Sequence, residues 1–269
     1  MSFGCFYFCS VADLYLGVKQ MTPGRPGLED RPMIERRPFE TLGGANHGWL
    51  NAKHHFSFAD YYDPKRMSWG NLRVWNDDEI AAGTGFPPHP HADMEIITYV
   101  REGAISHEDS LGNKGRTVAG DVQVMSAGTG IRHAEYNAEP ELTRIFQIWI
   151  EPTRRGDAPS WGSKPFPKGE RSGQFVVLAS GFEGDTVESG GDALPIRTDA
   201  RIVAATLKAG DSADYALGAT RRAYLVPAKG EVEVNGVRLN ARDGAAVAQE
   251  DVVTVKALSD AEVVLVDAA

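Results

Sequence analysis

From residue 70 to its end, the chain is a succession of short β-branched or alternating segments, each closed by Gly, Asp, Asn or Pro, and helical periodicity is scarce. Leu72–Trp75, Met94–Val100, Asp121–Met125 and Arg144–Ile150 are the first of them. After a Pro-containing stretch, 152–167, the pattern resumes at 174–180, 201–207, 222–228, 231–234, 237–239, 252–257 and 262–268. Asn235-Gly236 separates two of these segments and predicts a two-residue hairpin, because a type I′ turn needs positive φ at both centres. Many short strands at close spacing fit a sandwich or barrel better than a parallel sheet. The expectation is an all-β chain of two stacked jelly-roll barrels, 33–151 and 166–269, the second covering an edge or face of the first.

Composition narrows the function classes. The formal net charge is −9 over 269 residues and no Lys/Arg cluster offsets it, which removes the usual electrostatic source of nucleic-acid affinity. No apolar run approaches the roughly 20 residues that span a bilayer. The only two cysteines are Cys5 and Cys9, so the body of the chain has neither a disulfide framework nor a four-cysteine zinc site. The first 20 residues are apolar and aromatic, but they lack a positive start and Asp13 interrupts them, so a cytoplasmic rather than secreted product is expected. Residues 21–32 are rich in Pro and Gly and read as linker. The whole segment 1–32 reads as a disordered tail or an early start, with Met21 and Met33 as alternative starts.

All seven histidines lie between His47 and His133, and the second half has none. A histidine-based metal site must therefore belong to the first barrel. His89 and His91 are two residues apart just before a strand, so on extended chain both face one side. His133 and Glu135 repeat that spacing. A lone histidine is usually a surface residue or a satisfied core residue, but two such pairs on barrel strands offer three imidazoles and one carboxylate. That donor set suits Fe(II), Mn(II), Ni(II), Co(II), Cu(II) or Zn(II). The identity of the carboxylate stays open by spacing. Glu95 lies four residues beyond His91, Glu135 two beyond His133, and Asp93 shares the parity of His91 at a strand entrance.

These residues bring a family into view. Gly83-x5-His89-x-His91-x3-Glu95, followed by Gly103, looks like the first cupin motif with one extra residue before the glycine. His133-x3-Asn137 looks like the end of the second motif, with Gly128-Thr129-Gly130 where Pro-x-Gly is usual. That variant, with the runs 88–115 and 120–137, resembles the pirin family. The segments 45–64 and 146–152 bring it nearer to the bacterial pirin-like quercetin 2,3-dioxygenases than to the animal pirins. The resemblance spans about 33–269, is strongest over 45–152, and leaves 1–32 without counterpart. It implies a bicupin whose metal ligands fall on His89, His91, His133 and Glu135, with Glu95 a supporting buried carboxylate. His107 and Asp109 match a family pattern beyond the ligands and read as a hydrogen-bonded turn feature, with contact to substrate as the alternative. His54, in HHFSFA, reads as packing near the barrel mouth.

The implied activity is cleavage of a flavonol such as quercetin by O2, with loss of carbon monoxide. The cofactor expected is one divalent ion, Fe(II) first, which acidifies the substrate hydroxyl, while Glu135 takes its proton. The partners expected are a small aromatic substrate and O2, with no nucleic acid and no membrane, on a monomer. The alternative is the role the animal pirins imply: an iron-dependent redox sensor that binds a protein partner without turnover. A storage bicupin with an idle metal, or a sugar isomerase, has less in the sequence to recommend it.

Overall fold

A computed structural model describes residues 33–166, 168–186 and 189–269. The predicted extension 1–32, with Cys5, Cys9 and Met21, lies outside the described residues.

Each half is built from a seven-stranded sheet and a four-stranded sheet. In the first half the large sheet runs, in spatial order, Ser160–Lys164, Val122–Ser126, Glu95–Glu102, Thr143–Ile150, Leu72–Ile80, Leu50–His54 and Gly43–Asn46. The small sheet runs Thr84–His91, Ile131–Asn137, Ala104–Asp109 and Lys114–Val118. The second half repeats the plan. Arg222–Lys229, Ala261–Ala268 and Ala200–Leu207 lie side by side in its large sheet, and Ser212–Ala216, Val252–Ala257, Val232–Val234 and Val237–Leu239 form its small one. The predicted hairpin closes as a turn with φ 44° at Asn235 and 86° at Gly236, pairing Val234 with Val237.

Strand membership departs from the expected boundaries at two places. Met33–Arg37 precedes the first barrel in sequence but pairs with Gly244–Ala248 in the sheet of the second. Ser160–Lys164 comes from the stretch read as a connection, yet it pairs with Val122–Ser126 at the edge of the first barrel. Each half thus borrows or lends an edge strand, which caps backbone groups that would otherwise be unpaired.

Period-two alternation sorts the large sheet of the first half into two faces. Trp75, Ile97, Tyr99, Phe146 and Ile148 face the second half, where they share one core with Ile202, Ala204, Tyr224, Val226, Val264 and Val266. Asp77 lies fully buried on that face, held by Arg101 and by Arg242 at 2.6 Å from Nε. Removing one side of such a buried pair costs about 3–5 kcal/mol, so the two barrels are joined by ion pairing as well as by apolar area.

The other face, together with residues of the small sheet, lines the first barrel in three layers. Leu50, Ile80, Val100, Ile105 and Ile145 form an apolar floor. Asn76, Thr98, Gln123 and Gln147 form a buried polar layer. Met94, Ile96, Met125, Ala127 and Ile131 form a second apolar layer, against which Trp149 and Trp161 pack. Among the described residues no helix is long and apolar enough to cross a membrane.

Candidate metal centre

The histidine pairs meet because their strands are neighbours. Thr84–His91 and Ile131–Asn137 run antiparallel, with His133 opposite His89 and Ile131 opposite His91. Thr84–His91 is an edge strand, which is why it tolerates Pro87, Pro88 and Pro90. In Ile131–Asn137, the residues at 131, 133, 135 and 137 are buried, while those between them are not. His133 and Glu135 therefore enter the barrel together.

His89, His91 and His133 each bring a ring nitrogen within 4.8 Å of the other two. Their ring centroids stand 4.5–5.0 Å apart. Nε2 of His89 and Nε2 of His133 are separated by 3.1 Å. Two nitrogens on one transition-metal ion, each about 2.1 Å from it and cis to each other, stand about 3 Å apart. His89 Nδ1 lies 2.8 Å from the carbonyl oxygen of Pro87, which can only accept, so Nδ1 carries the proton and Nε2 keeps its lone pair. Burial, then His133 and His89, push His91 down to about 3. Burial, then His89 and His107, do the same to His133. Both rings are neutral near pH 7, the form that binds metal.

That depression has a consequence for stability. The unfolded chain takes up protons on these rings near 6.5, the folded chain only near 3. Their contribution is therefore present above about 6.5 and lost as pH falls towards 3. With chelator present, urea midpoints should fall across this interval, and His91→Asn should show a shallower fall. Equal slopes for wild type and variant would contradict it.

Glu135 sits one layer deeper, grouped with His133 and His107 rather than with all three imidazoles above. Its Oε1 accepts from Gln123 Nε2 at 2.7 Å and Thr98 Oγ1 at 3.0 Å, and its Oε2 accepts from Gln147 Nε2 at 2.7 Å. Oε1 is thereby filled, whereas Oε2 retains acceptor capacity. Glu95 points elsewhere. It is 1% exposed and accepts from Ser126 Oγ at 2.6 Å and Arg197 N at 3.1 Å, on the face towards the second barrel. The parity that put it beside His91 fails because Asp93 is left-handed, φ 48°, and breaks the strand between them. Asp93 itself accepts from Gly156 N, away from the histidines.

His54 is buried and bonded to Asn76 Oδ1 at 2.8 Å, next to the rings of Phe58 and Tyr61. His55 is buried against Tyr224 of the other half, and His47 is exposed. His107 goes beyond the turn role expected of it. Asp109 does anchor a turn, accepting from Leu111 N and Asn113 N, but His107 also places Nδ1 3.5 Å from Nδ1 of His133. Rings that spacing did not single out surround the centre. Trp149 meets His91 at 5.0 Å and Phe58 at 5.4 Å, and Phe86 lies 6.2 Å from His89. An aromatic in an alternating strand, as Trp149 is, was the signal available.

The family profile described as Pirin matches residues 35–150, and that of the Quercetinase C-terminal cupin domain matches 187–268. A pirin-like protein of Caulobacter vibrioides is 75% identical over 237 residues, 88% of this chain and all of that protein. The quercetin 2,3-dioxygenase of Escherichia coli K12 is 42% identical, with 87% of this chain and 98% of the enzyme covered. The crystal structure of the bacterial pirin YhhW of Escherichia coli in complex with nickel(II) superposes with a TM-score of 0.80. It is 41% identical, covering 88% of this chain and 99% of the other.

Proposed function

This chain belongs to the pirin family, and on that premise we propose that it is a metal-dependent dioxygenase. It would open flavonols such as quercetin, with release of carbon monoxide, at one divalent ion held by His89, His91, His133 and Glu135. The observation that carries the reading is the convergence of three imidazoles, with the 3.1 Å approach of two ring nitrogens, above a hydrogen-bonded carboxylate. His89 Nε2 offers its lone pair towards His133 Nε2 at the separation of two cis ligands on one ion, so the residues fit an ion. The nickel(II) complex of the Escherichia coli relative agrees with a transition metal, and Fe(II) is the ion proposed here.

When bound, the ion would make a flavonol hydroxyl acidic enough to lose its proton near neutral pH. The remaining work falls to the protein. Glu135, loosened from the ion, would accept the hydroxyl proton at Oε2, since Oε1 is filled by Gln123 and Thr98. Gln123, Gln147 and Thr98 keep that carboxylate in one rotamer. Trp149, Phe58 and Phe86 give the site flat apolar walls that suit a planar aromatic and limit water.

The test is aerobic quercetin turnover by Fe(II)-loaded protein, with quercetin loss and carbon monoxide followed together. The expected result is one carbon monoxide per quercetin lost. Metal-loaded protein that releases none contradicts the dioxygenase reading and moves the weight to the redox-sensing alternative, in which a protein partner answers to the oxidation state of the iron.

A further inference from the structure

We propose that His107 and Asp109 are positioning residues that fix the tautomer and orientation of His133, the ligand at the centre of the site. This deepens the site reading above and rests on His133 being a ligand.

The polarity of the hydrogen-bond chain is forced from its end. Asp109 Oδ2 lies 3.0 Å from His107 Nε2, and a carboxylate oxygen accepts, so His107 Nε2 carries a proton. Nδ1 of His107 faces Nδ1 of His133 at 3.5 Å. With a metal on Nε2 of His133, Nδ1 of that ring must hold the proton, and it donates to the bare Nδ1 of His107. The order is thus carboxylate, His107, His133, ion: a carboxylate–histidine–metal arrangement lengthened by one imidazole.

Every member is held. Asp109 accepts from Leu111 N, Asn113 N and Asn113 Nδ2 as well as from His107, so its carboxylate is fixed by its own turn. The His107 ring lies flat on Trp161, centroids 4.7 Å apart and planes 9° apart. Trp161 comes from the strand Ser160–Lys164 that the connection between the halves contributes, and it fits because Gly115 has no side chain. A Cβ there would lie 2.2 Å from the indole. His107 and Asp109 side chains are both fully buried. A pair that served the turn alone would not need His107 to reach His133.

The experiment uses Zn(II) as probe and two variants. His107→Phe keeps a ring on Trp161 and leaves the Asp109 turn intact. Asp109→Asn offers an amide that can donate to His107 Nε2, which would move the His107 proton to Nδ1 and oppose the proton on His133. Zn(II) affinity is measured by chelator competition against wild type and His133→Ala. Each variant is expected to weaken binding about 10–100-fold, the usual effect of removing a group that orients a ligand. In Zn(II)-loaded wild type, long-range nitrogen–proton NMR should find the proton of His133 on Nδ1 and that of His107 on Nε2.

Affinities within twofold of wild type for a folded His107→Phe, or a His107 proton on Nδ1 in the wild type, would overturn the proposal. Wild type binding Zn(II) no better than His133→Ala would overturn the site reading itself, and the positioning role with it.

Discussion

Replacing His133 by alanine is expected to abolish stoichiometric metal binding and, with it, flavonol cleavage. His133 is where the site's contacts converge. Its Nε2 stands 3.1 Å from His89, its ring packs edge-on against His91, and its other nitrogen meets His107. The variant removes one of three imidazoles and leaves the chain from Asp109 with nothing to orient. Since losing a merely orienting neighbour weakens metal sites about 10–100-fold, loss of the ligand should exceed about 100-fold. The fold should survive, because the inter-barrel core and the apolar floor of the first barrel do not include His133. Metal per chain by elemental analysis after gel filtration checks this. A folded variant that retains one ion per chain would remove His133 from the ligand set.

Glu135→Gln should have the second-largest effect, and a different signature. The carboxylate accepts from three donors, two of them glutamine amides. An amide at 135 presents hydrogens where one oxygen was, so it confronts either Gln123 or Gln147 donor to donor. One buried polar group is left unsatisfied, a cost of about 1–3 kcal/mol in stability. Turnover should fall about 10²–10⁴-fold, the usual contribution of a positioned base, while the three imidazoles still bind the ion with reduced affinity. Thermal unfolding and single-turnover quercetin loss would be read on the same metal-loaded sample. Turnover within a few-fold of wild type would take the base role from Glu135.

Much of this was legible in the sequence, and the failures have physical reasons. The pairs His89/His91 and His133/Glu135 could be put on one face because strand parity holds within a strand. Parity could not rank Glu95 against Glu135, since one left-handed residue, Asp93, reverses the face between His91 and Glu95. Asn235-Gly236 carried its own turn, a local signal that needs no partner. Met33–Arg37 and Ser160–Lys164 carried none. The first pairs with residues 244–248, and the second pairs with Val122–Ser126. Such edge pairings are fixed by tertiary packing rather than by composition.

The polar layer around Glu135 was hidden for a related reason. Thr98, Gln123 and Gln147 lie on three different strands and look in sequence like ordinary polar positions. His107 had the right spacing to Asp109 for a shared face. What the sequence could not supply was the pairing of Ala104–Asp109 with Ile131–Asn137, which sets Glu135 opposite His107 and His133 opposite Asp109.

The most direct test of the central claim is anomalous diffraction from crystals of the metal-loaded protein, recorded at the absorption edge of the ion. A single strong peak per chain is expected, bounded by ring nitrogens of His89, His91 and His133 and by Oε2 of Glu135. A peak between His107 and Glu135 that misses His89 and His91, or no peak inside the first barrel, would contradict it.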